Sequence, residues 1–170
     1  MGESTNGVLF AELAEETGRH ARPVAEAVRA LAAAGGEDRG AVFTRAEVVA
    51  FLLDLVGYTA DGPLAGVRLL EPSFGAGDFL MPAVDRLLEA WRRDGASLEE
   101  LAGAVRAVEL HRQTFEETAG RVRGRLEEAG LSGADAGRVA GEWLVCDDFL
   151  LAEVEGPFDA VVGNPPPVFI

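Results

Sequence analysis

Apolar residues return every three or four positions over several stretches of this chain, and they cluster into short continuous runs between those stretches. The first pattern marks helices with one buried face. Leu80, Val84, Leu87, Leu88 and Trp91 share one such face. Phe115, Ala119, Val122 and Leu126 share another, closed by Gly130. The apolar run Val48 to Val56 follows Thr44 and Glu47, which read as a capping box. Ser97 and Glu100 predict the start of a further short helix. The second pattern marks strands: Val67 to Glu71, Val105 to Glu109, Trp143 to Cys146 and Phe158 to Val162. Gly57 to Gly66 and Pro72 to Asp78 are turn-rich loops. Strands alternating with helices predict an α/β fold, a parallel sheet with helices on both faces. Ahead of it, Val8 to Glu16 and Pro23 to Ala34 read as two short helices, with a hinge at Gly35 to Gly40. The expected organisation is a helical arm over 1–40 and an α/β portion over 41–170.

Composition narrows the class. The chain has 170 residues, room for one domain, and 48% hydrophobic residues, too many for general disorder. Net charge is −14, from 29 acids against 15 bases, and every base is arginine. That balance argues against a free-standing nucleic-acid binder, which needs a basic face. One cysteine, Cys146, excludes a disulfide framework and a cysteine-based zinc site. No apolar run approaches the roughly 20 residues of a membrane span. The polar, acidic opening residues do not resemble a signal peptide. A soluble cytoplasmic domain is the expectation, with no membrane partner.

Ligands of parallel sheets bind outside the carboxyl ends of the strands, so those ends carry the candidate chemistry. The first is Glu71-Pro72-Ser73-Phe74-Gly75-Ala76-Gly77-Asp78-Phe79-Leu80. Gly75 and Gly77 permit a ligand to approach backbone where a Cβ would clash. The helix start that follows offers free N–H groups. The second end is Glu109, where doubly wound folds place an acid for ribose hydroxyls; a solvated surface acid is the alternative. The third is Asp147-Asp148-Phe149, suited to reading an adenine amine and packing on the base, or simply to capping a turn. The fourth is Asn164-Pro165-Pro166-Pro167, which fixes several dihedrals and presents an amide oxygen beside an unpaired carbonyl. Two rigid acceptors suit an NH2 donor, although a plain proline turn is the alternative.

In this order the four ends resemble the adenine-N6 DNA methyltransferases of the gamma arrangement found in restriction-modification systems. Phe43-Thr44, Glu71 to Leu80, Glu109, Asp148-Phe149 and Asn164-Pro165-Pro166 carry the resemblance, which covers roughly residues 41 to 168. It implies a Rossmann-like fold and S-adenosylmethionine as methyl donor. Thr44 and Glu71 would bind the methionine end of that cofactor. Gly75 and Gly77 would admit it to the backbone, and Glu109 would hold its ribose. Asp148 and Phe149 would read its adenine. Asn164 and the carbonyl of Pro165 would accept hydrogen bonds from the target adenine's N6 and align it for in-line transfer. The target base would be flipped out of the duplex.

The chain departs from the family at Pro167, where an aromatic is expected. Proline has no π face, so stacking worth roughly 1–3 kcal/mol per base is lost there. Phe169 lies two residues on. The resemblance also implies seven strands, of which four are predicted, with the fourth left as an open edge. The chain is therefore expected to be the cofactor-binding part of a DNA methyltransferase, inactive alone and completed by a C-terminal half or subunit. Two other readings stay open: a methyltransferase acting on protein glutamine or RNA, and a non-enzymatic module with the same fold.

Overall fold

The computed structural model describes residues 44–164. The predicted helices of the arm, Phe43, Pro165, Pro166, Pro167 and Phe169 lie outside the described residues.

Four parallel strands form one sheet: β1 (Leu69–Glu71), β2 (Val105–Glu109), β3 (Leu144–Cys146) and β4 (Ala160–Val161). Their order is β3-β2-β1-β4. The chain builds outward from β1 to β2 and β3, then crosses back to place β4 on the other side of β1. A topological switch point therefore lies between β1 and β4, where open α/β sheets bind ligands. The α/β, Rossmann-like fold expected from the sequence is the one observed.

Five helices accompany the strands: α1 (Ala46–Leu55), α2 (Leu80–Asp94), α3 (Leu98–Gly103), α4 (Arg112–Glu128) and α5 (Gly133–Trp143). The capping box predicted for α3 is present. Glu100 N–H donates to Ser97 Oγ at 3.2 Å, and Ser97 N–H donates to Glu100 Oε2 at 2.7 Å. The one predicted for α1 is absent: the cap is Arg45, with no side-chain bond. Thr44 instead spends both its polar groups on distant partners, described below.

Helix α5 was not predicted. Its first turn is Gly133-Ala134-Asp135-Ala136, too poor in large apolar residues to show a period. Ser132 caps it by accepting from Asp135 N–H at 3.1 Å. Trp143, expected to begin the third strand, is the last residue of this helix. Its indole N–H donates to Leu101 O at 2.9 Å, which ties α5 to α3 in the core.

Side chains alternate across a strand, so each face can be read separately. Leu69, Val105, Ala107, Leu144 and Ala160 join one apolar cluster with Val49, Leu53, Leu80, Leu87, Leu101, Val122, Leu126, Val139 and Trp143 from the five helices. On the opposite face Leu70 and Val108 are buried, Arg106 and Val145 are half-buried, and Val161 at the β4 edge is 57% exposed.

Arg68 fastens the β3–β4 connection. Its guanidinium donates to the carbonyls of Glu155 and Pro157, each at 2.9 Å, and lies 4.9 Å from the centre of the Phe158 ring. Its backbone N–H donates to Asp159 Oδ2 at 2.8 Å.

Candidate functional site

The switch point brings the predicted strand ends together. β1 is flanked by β2 and β4, so its last residue, Glu71, is only 1% exposed. Glu71 Oε2 is buried with no hydrogen-bond partner among the described residues. Burial first, then the nearby charges of Asp78 and Glu109, hold this carboxyl well above the ordinary range. A buried carboxyl with a free oxygen is costly unless a donor arrives to pair it. An ammonium group supplies both the hydrogen bond and the opposite charge.

The loop after Glu71 is pinned to β2. Phe74 N–H donates to Val108 O at 3.0 Å, and Gly75 N–H donates to Glu109 Oε2 at 2.9 Å. Gly75 and Gly77 have φ of +50° and +82°, the left-handed region that favours glycine. Beyond Gly75 the space is open: a Cβ there would meet nothing within 4 Å. At Gly77 a Cβ would lie 3.1 Å from both Met81 Cγ and Thr118 Cγ2. One glycine thus keeps a cradle clear while the other allows close packing beneath it. The first turn of α2 follows; its Met81 N–H already donates to Gly77 O at 2.9 Å and its Ala83 N–H to Phe79 O at 3.1 Å, and Pro82 has no N–H, so the free donors expected at this helix start are mostly taken.

Glu109 is not the solvated surface acid of the alternative reading. It is 4% exposed, and its second oxygen accepts from His111 N–H at 2.7 Å. The carboxylate is fixed at the end of β2 by two backbone donors.

Asp148 does act as a cap. Its Oδ1 accepts from Leu150 N–H at 3.0 Å, and its carbonyl accepts from Leu151 and Ala152. Asp147 N–H donates to Glu109 O at 3.1 Å, so this turn sits directly beside the β2 end. Phe149 is half-buried, while Leu110, Leu150 and Leu151 are exposed at 59%, 86% and 78%. The ends of β2 and β3 therefore expose an apolar surface next to two fixed carboxylates, a combination that suits a flat base with a polar edge.

Thr44 and Asn164, 120 positions apart in sequence, meet on the β4 side. Thr44 N–H donates to Asp78 Oδ2 at 3.0 Å, and Thr44 Oγ1 accepts from Asn164 Nδ2 at 3.2 Å. That bond orients the exposed amide of Asn164 and leaves its Oδ1 as an acceptor. Gly163 lies against the β1 end, with its would-be Cβ 3.6 Å from Pro72 Cδ and 3.9 Å from Glu71 Cγ.

Sequence reasoning did not single out Asp78, Leu110 or Thr118 within this site. Asp78 lies within the Glu71 to Leu80 motif, though no role was expected of it, and Leu110 directly follows Glu109, which was the available signal. Thr118 carried none, because its partner is a loop 43 residues away.

No family model matches the chain, and no solved structure matches it. Its sequence is 56% identical over 148 residues to the type II methyltransferase M.PaeR7I of Pseudomonas aeruginosa, covering 85% of this chain and 26% of that protein. It is 46% identical over 134 residues to the type II methyltransferase M.XhoI of Xanthomonas vasicola, covering 76% and 24%. It is 37% identical over 135 residues to the type II methyltransferase M.BstVI of Geobacillus stearothermophilus, covering 75% and 24%. The chain spans about a quarter of the length of these curated relatives. Over most of its own length, then, this α/β chain is similar to part of the type II methyltransferases.

Proposed function

We propose that this chain forms the cofactor-binding part of a DNA methyltransferase that uses S-adenosylmethionine to methylate adenine N6. One observation carries the cofactor reading. The carboxyl ends of β1 and β2 join a buried, unpaired Glu71 oxygen to a glycine cradle and a fixed Glu109 carboxylate. Such a site fits a ligand with an ammonium group at one end and a ribose diol at the other.

Each residue then has a part. Glu71 pairs the cofactor's amino group, and Thr44 lies beside its methionine end. Gly75 and Gly77 admit the ligand to the backbone. Glu109 keeps lone pairs for ribose hydroxyls while its backbone donors hold it still. Asp148 uses one oxygen as a cap and offers the other to the adenine amine, with Phe149 and Leu110 supplying apolar contact to the ring. When bound, S-adenosylmethionine would supply an electrophilic methyl group on its sulfonium. Asn164, oriented by Thr44, offers Oδ1 to the target's NH2, and Pro165 offers its carbonyl. Withdrawing those N–H bonds from competing partners aligns the nitrogen lone pair with the methyl group. In this reading Pro167 supplies no aromatic stacking for the target base, and the net charge of −14 supplies no basic face for DNA.

Calorimetric titration of the 170-residue chain with S-adenosylmethionine tests the proposal. Saturable heat is expected. A folded sample giving no heat at millimolar cofactor would remove the cofactor reading and favour a non-enzymatic module. Mass spectrometry of DNA treated with the longer protein checks the base. A methyl group on a protein glutamine or on RNA, with none on adenine in DNA, would redirect the substrate.

A further inference from the structure

Helix α4 presents Phe115, Thr118 and Arg121, spaced three apart, to the glycine loop. The Phe115 ring lies 5.9 Å from that of Phe74, centre to centre. Thr118 Oγ1 donates to Gly75 O at 2.9 Å, and Arg121 donates to Ala76 O at 2.6 Å. Val122 and Leu126 on the same helix are fully buried in the core. The helix therefore serves two purposes through neighbouring stripes, one apolar and one polar.

We infer that Thr118, seconded by Arg121, is a positioning residue for the cofactor cradle, holding the Gly75–Ala76 carbonyls so that the loop stays open to its ligand. The inference rests on the proposed cofactor reading of this site. Threonine inside a helix ordinarily bonds its own backbone one turn back. This hydroxyl crosses to another segment, and Thr118 is 2% exposed. The two peptide units that flank Gly75 are consequently each anchored, the Phe74–Gly75 unit through its N–H by Glu109 and the Gly75–Ala76 unit through its carbonyl by Thr118. A loop peptide unit without such an anchor can rotate about the glycine's free dihedrals. Rotation of the Gly75–Ala76 unit would turn the Gly75 carbonyl away from Thr118 and toward the cleared space, while the Glu109 bond to Gly75 N–H, in the preceding unit, does not oppose it. Thr118 Cγ2 also supports the loop from below at Gly77, so the residue's methyl packs and its hydroxyl orients.

Thr118→Val keeps the shape and removes the donor, whereas Thr118→Ser keeps the donor. Titration of both with S-adenosylmethionine, alongside urea unfolding, separates positioning from stability. Thr118→Val is expected to bind about tenfold more weakly, the effect of one lost hydrogen bond, and Thr118→Ser within about twofold of the unsubstituted chain. Equal affinity for Thr118→Val and the unsubstituted chain would overturn the inference, even if stability fell. Equal weakening by Ser and Val would overturn it as well. Should Thr118→Val fail to fold, Arg121→Met removes the neighbouring bond from an exposed position and must weaken binding in the same direction; unchanged affinity there overturns the inference. Absence of heat for the unsubstituted chain would instead strike down the cofactor reading itself, and this inference with it.

Discussion

Alanine at Gly75 and alanine at Gly77 should damage the protein in different ways, although the residues are two apart. Both have positive φ, so each substitution pays a left-handed backbone strain of about 1–2 kcal/mol. At Gly75 the new methyl meets nothing within 4 Å, and strain is the whole cost to the fold. At Gly77 it lies 3.1 Å from Met81 Cγ and from Thr118 Cγ2, inside ordinary contact distance. Thr118 is buried in a helix and cannot retreat, so overpacking adds about 1–3 kcal/mol. Urea unfolding should thus show Gly77→Ala losing about 2–5 kcal/mol and Gly75→Ala about 1–2 kcal/mol. Binding should show the reverse emphasis. In Gly75→Ala the methyl occupies the cleared space of the cradle, and S-adenosylmethionine affinity measured on the folded protein should fall about tenfold or more, ~1.4 kcal/mol. Equal stability losses for the two variants would refute the packing argument. A Gly75→Ala protein that binds as tightly as the parent would refute the assignment of that space to a ligand.

Three further outcomes follow from the same geometry. Glu71 has a carboxyl raised by burial above its ordinary 4.5, so the folded state holds a proton that the unfolded state releases, and stability falls as pH rises through that window. Glu71→Gln abolishes this contribution: its advantage over the parent in urea unfolding should grow as pH rises from 4.5, and parallel pH profiles would contradict the burial argument. Asp148→Asn retains the Oδ1 cap of Leu150 but places a donor where an acceptor is needed, so cofactor affinity should fall about tenfold with little change in stability; unchanged affinity would leave Asp148 as a cap alone. Trp143→Phe removes the indole bond to Leu101 O and leaves a void in a fully buried position, at a cost of about 2–4 kcal/mol in urea unfolding. A loss below about 1 kcal/mol would mean that α5 contributes little to the core.

Local pattern determined most of the elements of the described fold. Apolar spacing at 3.6 residues specifies α2 and α4, and the Ser97–Glu100 box specifies α3, because those signals are settled within one or two turns of chain. The short apolar runs specify the strands for a similar reason. Helix α5 escaped because Gly133 to Ala136 offers too few large apolar side chains to reveal a period, and Trp143 looks alike at the end of a buried helix or the start of a buried strand. The order of motifs also named the strand-end residues, since chemistry in a parallel sheet must gather at the carboxyl ends.

Tertiary structure decided how those residues are used. Thr44 was legible as a local cap, yet its N–H goes to Asp78 and its hydroxyl to Asn164, because two long-range bonds outcompete one local bond. Glu109 reads as a surface acid or a ribose ligand from sequence, and only the approach of the Gly75 loop shows it buried and clamped. Thr118 carries no signal in the sequence, because its role depends on a helix and a loop 43 residues apart being pressed together. Periodicity reports which side of an element faces inward. It does not report what that side meets, which depends on the sheet order β3-β2-β1-β4 and the switch point that this order creates.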